Sequence, residues 1–593
     1  MSFSNSGGNR SLKSGTPPIT QYFPVNDRKS TSGSNQEDRK SYSHEGDSYS
    51  SGASNASYGE DLNDNACSTL SYDGNESVNI DEECHQLGDD KEQFPLIIDG
   101  SYTLSGKSHC YLFNTREFQR SKRFIPYPPN LNKRYAKFDV KMPYSYYLNC
   151  DTKAKDKLAT NLWDLIEKSL RSCQIRDSYE LQEAILSYNE QYRDYWSFDG
   201  LHAYFQAIGP SESYDFFYQT LPKMIDLALR LPKLITKSIP LLRQGYRGSV
   251  TMSQEQAACI LANAFFCTFP ERSGSFTKGS HDFGYPAFNF NSLFEIKSNR
   301  VLQKLQCLVH YFGRVTKTMP RGIITYERRQ VYDIDKAIES SRSQFCKICV
   351  DSSGLIEDAT GMSQIDFANK RIGGGVLRSG CVQEEILFLI SPELIVSLLI
   401  TQVLDDNECL IIRGSERFSH YSGYSNSFRW TGNYVDKTPR DSEGKLYSEV
   451  VAIDALVFSS FRAQLKQASL RREFMKAYCG FNLPRSYSGP KYAIATGNWG
   501  CGAFGGLIQM MAAAEAGRPV CYYTFGDKEL MEKIVKLNRF LRNNRITVGL
   551  MWQGLLRYAQ SASQPSSNDL LAFIHKSGYA GRKQDESIDS ETL

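Results

Sequence analysis

After Gly322 the chain alternates short apolar runs with helical patterns, and that alternation limits its fold more than any other feature. The runs are Ile323-Ile324-Thr325-Tyr326, Phe345 to Val350, Cys409-Leu410-Ile411-Ile412, Val450 to Leu456, Tyr492 to Thr496 and Val520 to Phe525. Each has the length and apolar character of a buried strand. Pro392 to Val403 and Phe461 to Tyr478 carry helical spacing between them. Buried strands interleaved with helices predict a mainly parallel or mixed sheet covered on both faces, a three-layer α/β/α arrangement. Ligands on such sheets gather at the strand ends.

Upstream the period is different. From Asp156 to about Phe312, apolar residues such as Leu158, Leu162, Leu165 and Ile166 recur at helix spacing, as do Met224, Leu227, Ala228 and Leu231. Ser253-Gln254-Glu255-Gln256 places an N-cap signal before the apolar run Ala257 to Ala262. This part reads as a helical accessory domain that packs and carries no chemistry, its His and Glu residues being isolated. Before it, Ile125-Pro126-Tyr127-Pro128-Pro129 predicts an extended stretch. The first 90 or so residues are rich in Ser, Gly, Asn and Asp and poor in aliphatic side chains, so they cannot bury enough apolar surface to offset the entropy of ordering. The predicted organisation is a disordered tail at 1–95, an extended segment and helical domain at 96–322, the α/β domain at 323–558, and a C-terminal tail at 559–593.

The 69 Lys+Arg and 66 Asp+Glu leave a net charge of +3, too small a field for sequence-independent nucleic-acid binding. The cluster Arg120, Lys122, Arg123, Lys133, Arg134 and Lys137 reads as solvated surface. Fifteen scattered cysteines without framework spacing predict reduced thiols and an intracellular chain. Cys346-Lys347-Ile348-Cys349 has no second ligand pair at zinc-site distance and reads as strand. No apolar run approaches the roughly 18 residues of a membrane helix.

The chemistry is concentrated between Asp366 and Glu385. Gly373-Gly374-Gly375 offers backbone N–H groups with no side chains in the way, as close approach to a phosphate or ribose requires. Gln383-Glu384-Glu385 then opens the apolar run Ile386 to Ile390. Adjacent glutamates on a helix point about 100° apart, so they do not flank a glycosidic bond from both sides, and one of them must carry most of the proton transfer. A second glycine cluster, Gly497 to Gly506, follows a strand and precedes the helical pattern Leu507 to Ala516. It reads as a pyrophosphate loop at a helix N-terminus. Gly500 to Gly505 formally spells G-x-G-x-x-G, but it falls late in the domain rather than in a first βαβ unit.

Gly-Gly-Gly followed by a short loop and Gln-Glu-Glu, with the other motifs in the same order from Ser238 to Tyr558, resembles the poly(ADP-ribose) glycohydrolase family. The resemblance implies a macrodomain fold and hydrolysis of ribose–ribose O-glycosidic bonds with release of ADP-ribose, without metal or cofactor. Glu385 would protonate the departing ribose oxygen and later activate water, Glu384 would orient the ribose hydroxyls, and Asp366 would support them. Asn369 would contact a ribose, and Gly373, Gly374 and Gly375 the distal ribose and phosphate. Ile356 and Glu357 would meet the adenine, Tyr424 would stack on it, Phe525 would lie near the adenosine, and Phe504 would pack against the ribose. Gln383, Asn498, Trp499, Gly500, Cys501, Gly502 and Ala503 complete the implied binding set. Between Gly506 and Leu507 this chain lacks about six residues of the family pattern, more than one helical turn, and the alternative expectation is an impaired reader of ADP-ribose. In the tail, Thr16 to Phe23 resembles the peptide that docks on the replication sliding clamp, through Ile19, Tyr22 and Phe23, with Thr16 in place of Gln. Residence in both nucleus and cytoplasm is expected.

Overall fold

The computed structural model describes residues 109–128, 138–145, 161–172, 174–272, 283–332, 334, 338–483, 492–500, 503–561, 570 and 572–574. The expected disordered tail and the clamp-like peptide lie outside them. The strands among the described residues are β1 (His109–Tyr111), β2 (Gly248–Ser253), β3 (Ile323–Gln330), β4 (Ile348–Asp351), β5 (Ser363–Ala368), β6 (Glu408–Arg413), β7 (Ser419–Ser422), β8 (Arg429–Asn433), β9 (Glu449–Asp454), β10 (Ile494–Gly497) and β11 (Val520–Tyr523). The longer helices are α1 (Leu162–Ser172), α2 (Ser178–Ser187), α3 (Asp199–Ile208), α4 (Leu221–Leu229), α5 (Gln254–Phe265), α6 (Asn299–Lys317), α7 (Gln383–Ile390), α8 (Gln467–Phe481), α9 (Ala503–Ala516), α10 (Lys528–Asn543) and α11 (Val548–Ser561).

Nine strands form one mixed sheet in the order β1-β2-β3-β6-β9-β5-β10-β11-β4. The run β9-β5-β10-β11-β4 is wholly parallel, while β2, β3, β6 and β9 pair antiparallel in turn. Strand alternation sorts the side chains between two cores. Leu410, Ile412, Val450 and Ala452 face a core shared with α1 to α7. Cys409, Ile411, Val451 and Ile453 face a second core closed by α8 to α11. Both faces are therefore covered, which explains why these strands read as unbroken apolar runs.

Packing runs across both of the expected domain divisions. The boundary at 322/323 is crossed by the sheet, because β1 and β2 come from the segment assigned to the helical domain and pair through Thr251 onto Thr325, whose hydroxyls lie 2.8 Å apart. Helical segment and sheet also share one continuous core, so they are not two separately packed bodies. The C-terminal tail begins later than 559, since α11 runs to Ser561 and Leu570 and Ile574 are buried in the second core. α5 starts where the capping signal predicts, with Ser253 Oγ accepting from Gln256 N (3.1 Å) and Gln256 Oε1 accepting from Ser253 N (2.9 Å).

Candidate active site

Because five neighbouring strands run parallel, the loops after β4, β5, β9, β10 and β11 emerge at one end of the sheet. The loop after β5, residues 369–382, leads into α7 and carries the three glycines. Its geometry is set by two buried carboxylates. Glu384 Oε2 accepts from Asn369 N (2.9 Å) and Oε1 from Gly373 N (2.6 Å). Glu385 Oε1 accepts from Gly375 N (2.8 Å) and Oε2 from Val382 N (2.8 Å). Each carboxylate therefore grips the loop at two points, and both flank Gly374, where an added Cβ would lie 2.5 Å from Glu385 Oε1 and 2.7 Å from Glu384 Oε2.

This corrects the reading of the glycine N–H groups as a free anion cradle. Gly373 and Gly375 donate to the glutamates, and Gly374 N donates to Arg371 O (3.2 Å). Buried carboxylates require donors, and these are the nearest. The missing side chains still matter: Gly374 is exposed and leaves a bare backbone beside both acids.

Asp366 lies on β5, directly under this loop, fully buried, with neither carboxylate oxygen hydrogen-bonded. Burial, and then the neighbouring Glu385 charge, push its pKa well above the ordinary carboxylate range. Glu384 is pushed up in the same way by burial, Asp366 and Glu385, against the opposing pull of its two backbone donors. Burial and the closeness of the three carboxyl groups thus favour the neutral forms of Asp366 and Glu384.

Gln383 turns back onto β5. Its Oε1 accepts from Phe367 N (2.8 Å) and its Nε2 donates to Ile365 O (3.1 Å). β5 pairs with β10 only at Ser363 and Gln364, so the side chain satisfies the strand edge that β10 leaves open. Asn369 is exposed, its Oδ1 accepting from Arg371 N (2.9 Å) in a turn.

The residues expected around adenine fall into two groups. Ile356 is fully buried beside Met362, Ala495 and Tyr523, with Phe525 against the same cluster, so it forms the floor of the site and not its surface. Phe525 turns out of β11 with φ 53° and lays its ring over Gly497, which has no Cβ to obstruct it. Glu357 is half-buried, raised in pKa by desolvation, and accepts from the Tyr421 hydroxyl. Arg417 braces the same turn through Asp358 (2.6 Å). Tyr424 sits three residues past Tyr421, its loop tied to the glycine loop by Ser425 N donating to Cys381 O (3.0 Å).

In the second glycine cluster, Trp499 is a core residue. It is buried, and its indole N–H donates to Ile453 O (3.1 Å). Asn498 Oδ1 accepts from the Tyr522 hydroxyl (3.1 Å), and Gly500 is exposed with φ 66°. Cys501 and Gly502, and the side chains of Ala503 and Phe504, lie outside what is described.

One contributor was missed. Lys304, from α6 in the segment assigned a packing role only, is fully buried and donates to the carbonyls of Gly375, Arg378 and Gly380. The available signal was a lysine lying on the apolar stripe Val301, Leu305, Leu308 and Phe312.

The comparisons agree with this architecture. The family model described as poly(ADP-ribose) glycohydrolase, macro domain fold, matches residues 335–532, and the model for that family's helical domain matches residues 208–328. Poly(ADP-ribose) glycohydrolase 1 of Arabidopsis thaliana is 32% identical over 446 residues, 60% of this chain and 80% of the relative. Probable poly(ADP-ribose) glycohydrolase 2 of Arabidopsis thaliana is 31% identical over 441 residues, 62% of this chain and 83% of the relative. Poly(ADP-ribose) glycohydrolase 2 of Caenorhabditis elegans is 28% identical over 425 residues, 68% of this chain and 82% of the relative. With these sequence relations added to the sheet order and the carboxylate-bearing glycine loop, the chain belongs to the poly(ADP-ribose) glycohydrolase family.

Proposed function

We propose that this chain hydrolyses the ribose–ribose O-glycosidic bonds of poly(ADP-ribose), releasing ADP-ribose. The observation that carries the reading is the placement of Glu384 and Glu385, each buried and held by two backbone N–H groups, on either side of a bare glycine at the C-terminal end of a parallel sheet. Gly374 lets the sugar approach the backbone without a Cβ in the way. Glu385 donates a proton to the departing ribose oxygen as the C–O bond breaks, and the oxocarbenium-like sugar is captured by water that gives its proton back to the same carboxylate. Glu384 hydrogen-bonds a ribose hydroxyl and orients the ring. Glu357, fixed by Tyr421, accepts from the adenine amine, and Tyr424 and Phe525 bracket the adenosine.

The test is release of free ADP-ribose from purified poly(ADP-ribose) by the wild type and by Glu385→Gln. The wild type is expected to shorten the polymer and the variant to lose turnover while retaining ADP-ribose binding. Gln replaces one acceptor oxygen by an amide that faces a backbone donor, so thermal unfolding of the variant is measured alongside. Retained turnover in the variant would remove Glu385 from the mechanism. Polymer binding without any shortening by the wild type would make the chain a reader.

Two further proposals concern residues that are not described. Docking on the sliding clamp through Ile19, Tyr22 and Phe23 rests on the peptide pattern, and absence of binding by a 16–23 peptide at millimolar concentration would remove it. Residence in nucleus and cytoplasm is checked by imaging the tagged full chain.

A further inference from the structure

We propose that Lys304 is a positioning residue for catalysis: by donating to three carbonyls of the glycine loop it fixes the backbone that aims Glu385, so the helical segment takes part in setting the active site. The inference rests on the glycohydrolase reading above.

α6 is amphipathic, with Val301, Leu305, Leu308 and Phe312 buried along one stripe. Lys304 lies on that stripe, where an apolar side chain would pack without losing hydration. Its ammonium instead makes the three hydrogen bonds it is able to make, to Gly375 O (3.0 Å), Arg378 O (2.7 Å) and Gly380 O (2.5 Å). These carbonyls lie on the curled part of the loop, which also closes on itself through Arg378 N (2.9 Å) and Gly380 N (3.1 Å), both donating to Gly375 O. Gly375 is the pivot: its carbonyl accepts from Lys304 while its N–H donates to Glu385 Oε1 (2.8 Å). A shift at the ammonium therefore passes through one residue to the proposed general acid. Gly380 is equally close, since a Cβ there would lie 2.5 Å from Glu385 Oε1.

The same helix holds the neighbouring loop. Arg300 Nη1 donates to Asn426 Oδ1 (3.1 Å), within the turn that bears Ser425, and Gln303 Oε1 accepts from Trp430 N (3.0 Å), just after it. α6 thus fixes both the glycine loop and the Tyr424 loop, and Lys304 is its buried contact with the first.

The ammonium is also titratable. Burial lowers its pKa to about 8, opposed by Cys381 and Glu385 from the loop and α7 and by Cys307 on its own helix, and assisted by Arg300. Losing the proton leaves two N–H donors for three carbonyls and points a lone pair at the third. The loop then loosens as pH rises through that value.

The experiment compares the full-length wild type, Lys304→Met and Lys304→Arg for ADP-ribose release from poly(ADP-ribose) across pH 6 to 10, with thermal unfolding of each. Lys304→Met fills a similar volume without a donor. It is expected to lose about a hundredfold in kcat, the scale of a misplacement near 1 Å, with KM within threefold. The wild type is expected to show an alkaline decline near pH 8 that Lys304→Arg, which stays charged, moves upward. Unchanged kcat in Lys304→Met would overturn the proposal, as would an alkaline limb identical in all active forms. If Lys304→Met fails to fold, the pH profiles of the wild type and Lys304→Arg decide. A wild type without any release would fail the glycohydrolase reading instead, which separates the two.

Discussion

Gly374→Ala isolates the relation between the bare backbone and the two acids. Gly374 has φ 48°, a left-handed conformation that costs an alanine about 1–2 kcal/mol. Its new Cβ would lie 2.5 Å from Glu385 Oε1 and 2.7 Å from Glu384 Oε2, where real Cβ contacts stay beyond 3.0 Å. At least one carboxylate must retreat by about half an ångström or more, stretching backbone hydrogen bonds of 2.6 to 2.9 Å. At roughly a hundredfold in rate per 1 Å of misplacement, the expected loss in kcat is about 10- to 100-fold. The stability cost is small for a chain of this length, a decrease in Tm of no more than about 5 °C. Gly373→Ala is the control: its φ of 86° makes it equally strained, but its Cβ would meet the flexible end of Leu398 and neither carboxylate. It should lower Tm by a comparable amount and lower kcat less than Gly374→Ala does, because its Cβ displaces no carboxylate, although its N–H is one of the two donors to Glu384. Steady-state release of ADP-ribose, quantified by chromatography, gives kcat for both beside their unfolding curves. A Gly374→Ala enzyme that folds and keeps kcat within about threefold, well short of the loss that misplacement implies, would refute the placement of the reacting bond between these acids.

Asp366→Asn should change the pH dependence of stability. With its folded pKa raised, the wild-type aspartate contributes stability that is complete below its unfolded pKa of about 3.9 and is lost as pH rises towards the folded value, by up to about 1.4 kcal/mol per pH unit. Asparagine has no such slope, so the Tm difference between variant and wild type should widen from pH 4 to pH 7, and a constant difference would contradict the buried, unpaired aspartate. Arg328→Met breaks an ion pair with Glu408 in which both side chains are fully buried, and should cost about 3–5 kcal/mol in denaturant unfolding. Tyr421→Phe removes the hydroxyl that holds Glu357. It should raise KM more than it lowers kcat, and equal effects on both would argue against a role in binding.

The sequence makes the sheet legible where strands are covered on both faces. Cys409 to Ile412 and Val450 to Ile453 are apolar without a break because each successive side chain enters one of two cores, and in Val520 to Tyr523 the side chains alternate between the second core and the small cluster around Ile356. β5 escapes the same reading. Ser363-Gln364-Ile365-Asp366-Phe367-Ala368 has an aspartate and a serine at fully buried positions of a central strand, and only the tertiary structure supplies what they face. β2 was hidden for a related reason, its threonine being satisfied across the ladder by Thr325. In the site, the glutamate pair is visible as a motif, but what the glycine N–H groups do depends on which acceptors end up buried beside them. Trp499 is the reverse case: the resemblance places it in the binding set, and its ring packs in the second core.

The resemblance implies a connection after Gly506 shorter than the family pattern, and the packing behind the second glycine cluster shows what surrounds that junction. α9 runs unbroken from Ala503 to Ala516, so the residues absent relative to the family pattern leave no gap in the helix. Its first turn is seated against the loop because Gly505 has no Cβ to collide with Trp499 O, and Gly506 sits against the ring of Tyr522. One turn further on, Gln509 is fully buried and donates from Nε2 to Gly497 O (3.0 Å), while its Oε1 accepts from the Thr496 hydroxyl. The helix is thus fastened to the end of β10 by its own side chains, and Trp499 is fastened separately to Ile453 of β9. These contacts fix the end of β10 and the first turns of α9 relative to one another. The junction after Gly506 is itself buried, with Leu507 and Ile508 in the second core. The carboxylates of α7 are held by the separate loop after β5, so any effect of the shortening on the acids has to pass through the sheet that lies between the two loops.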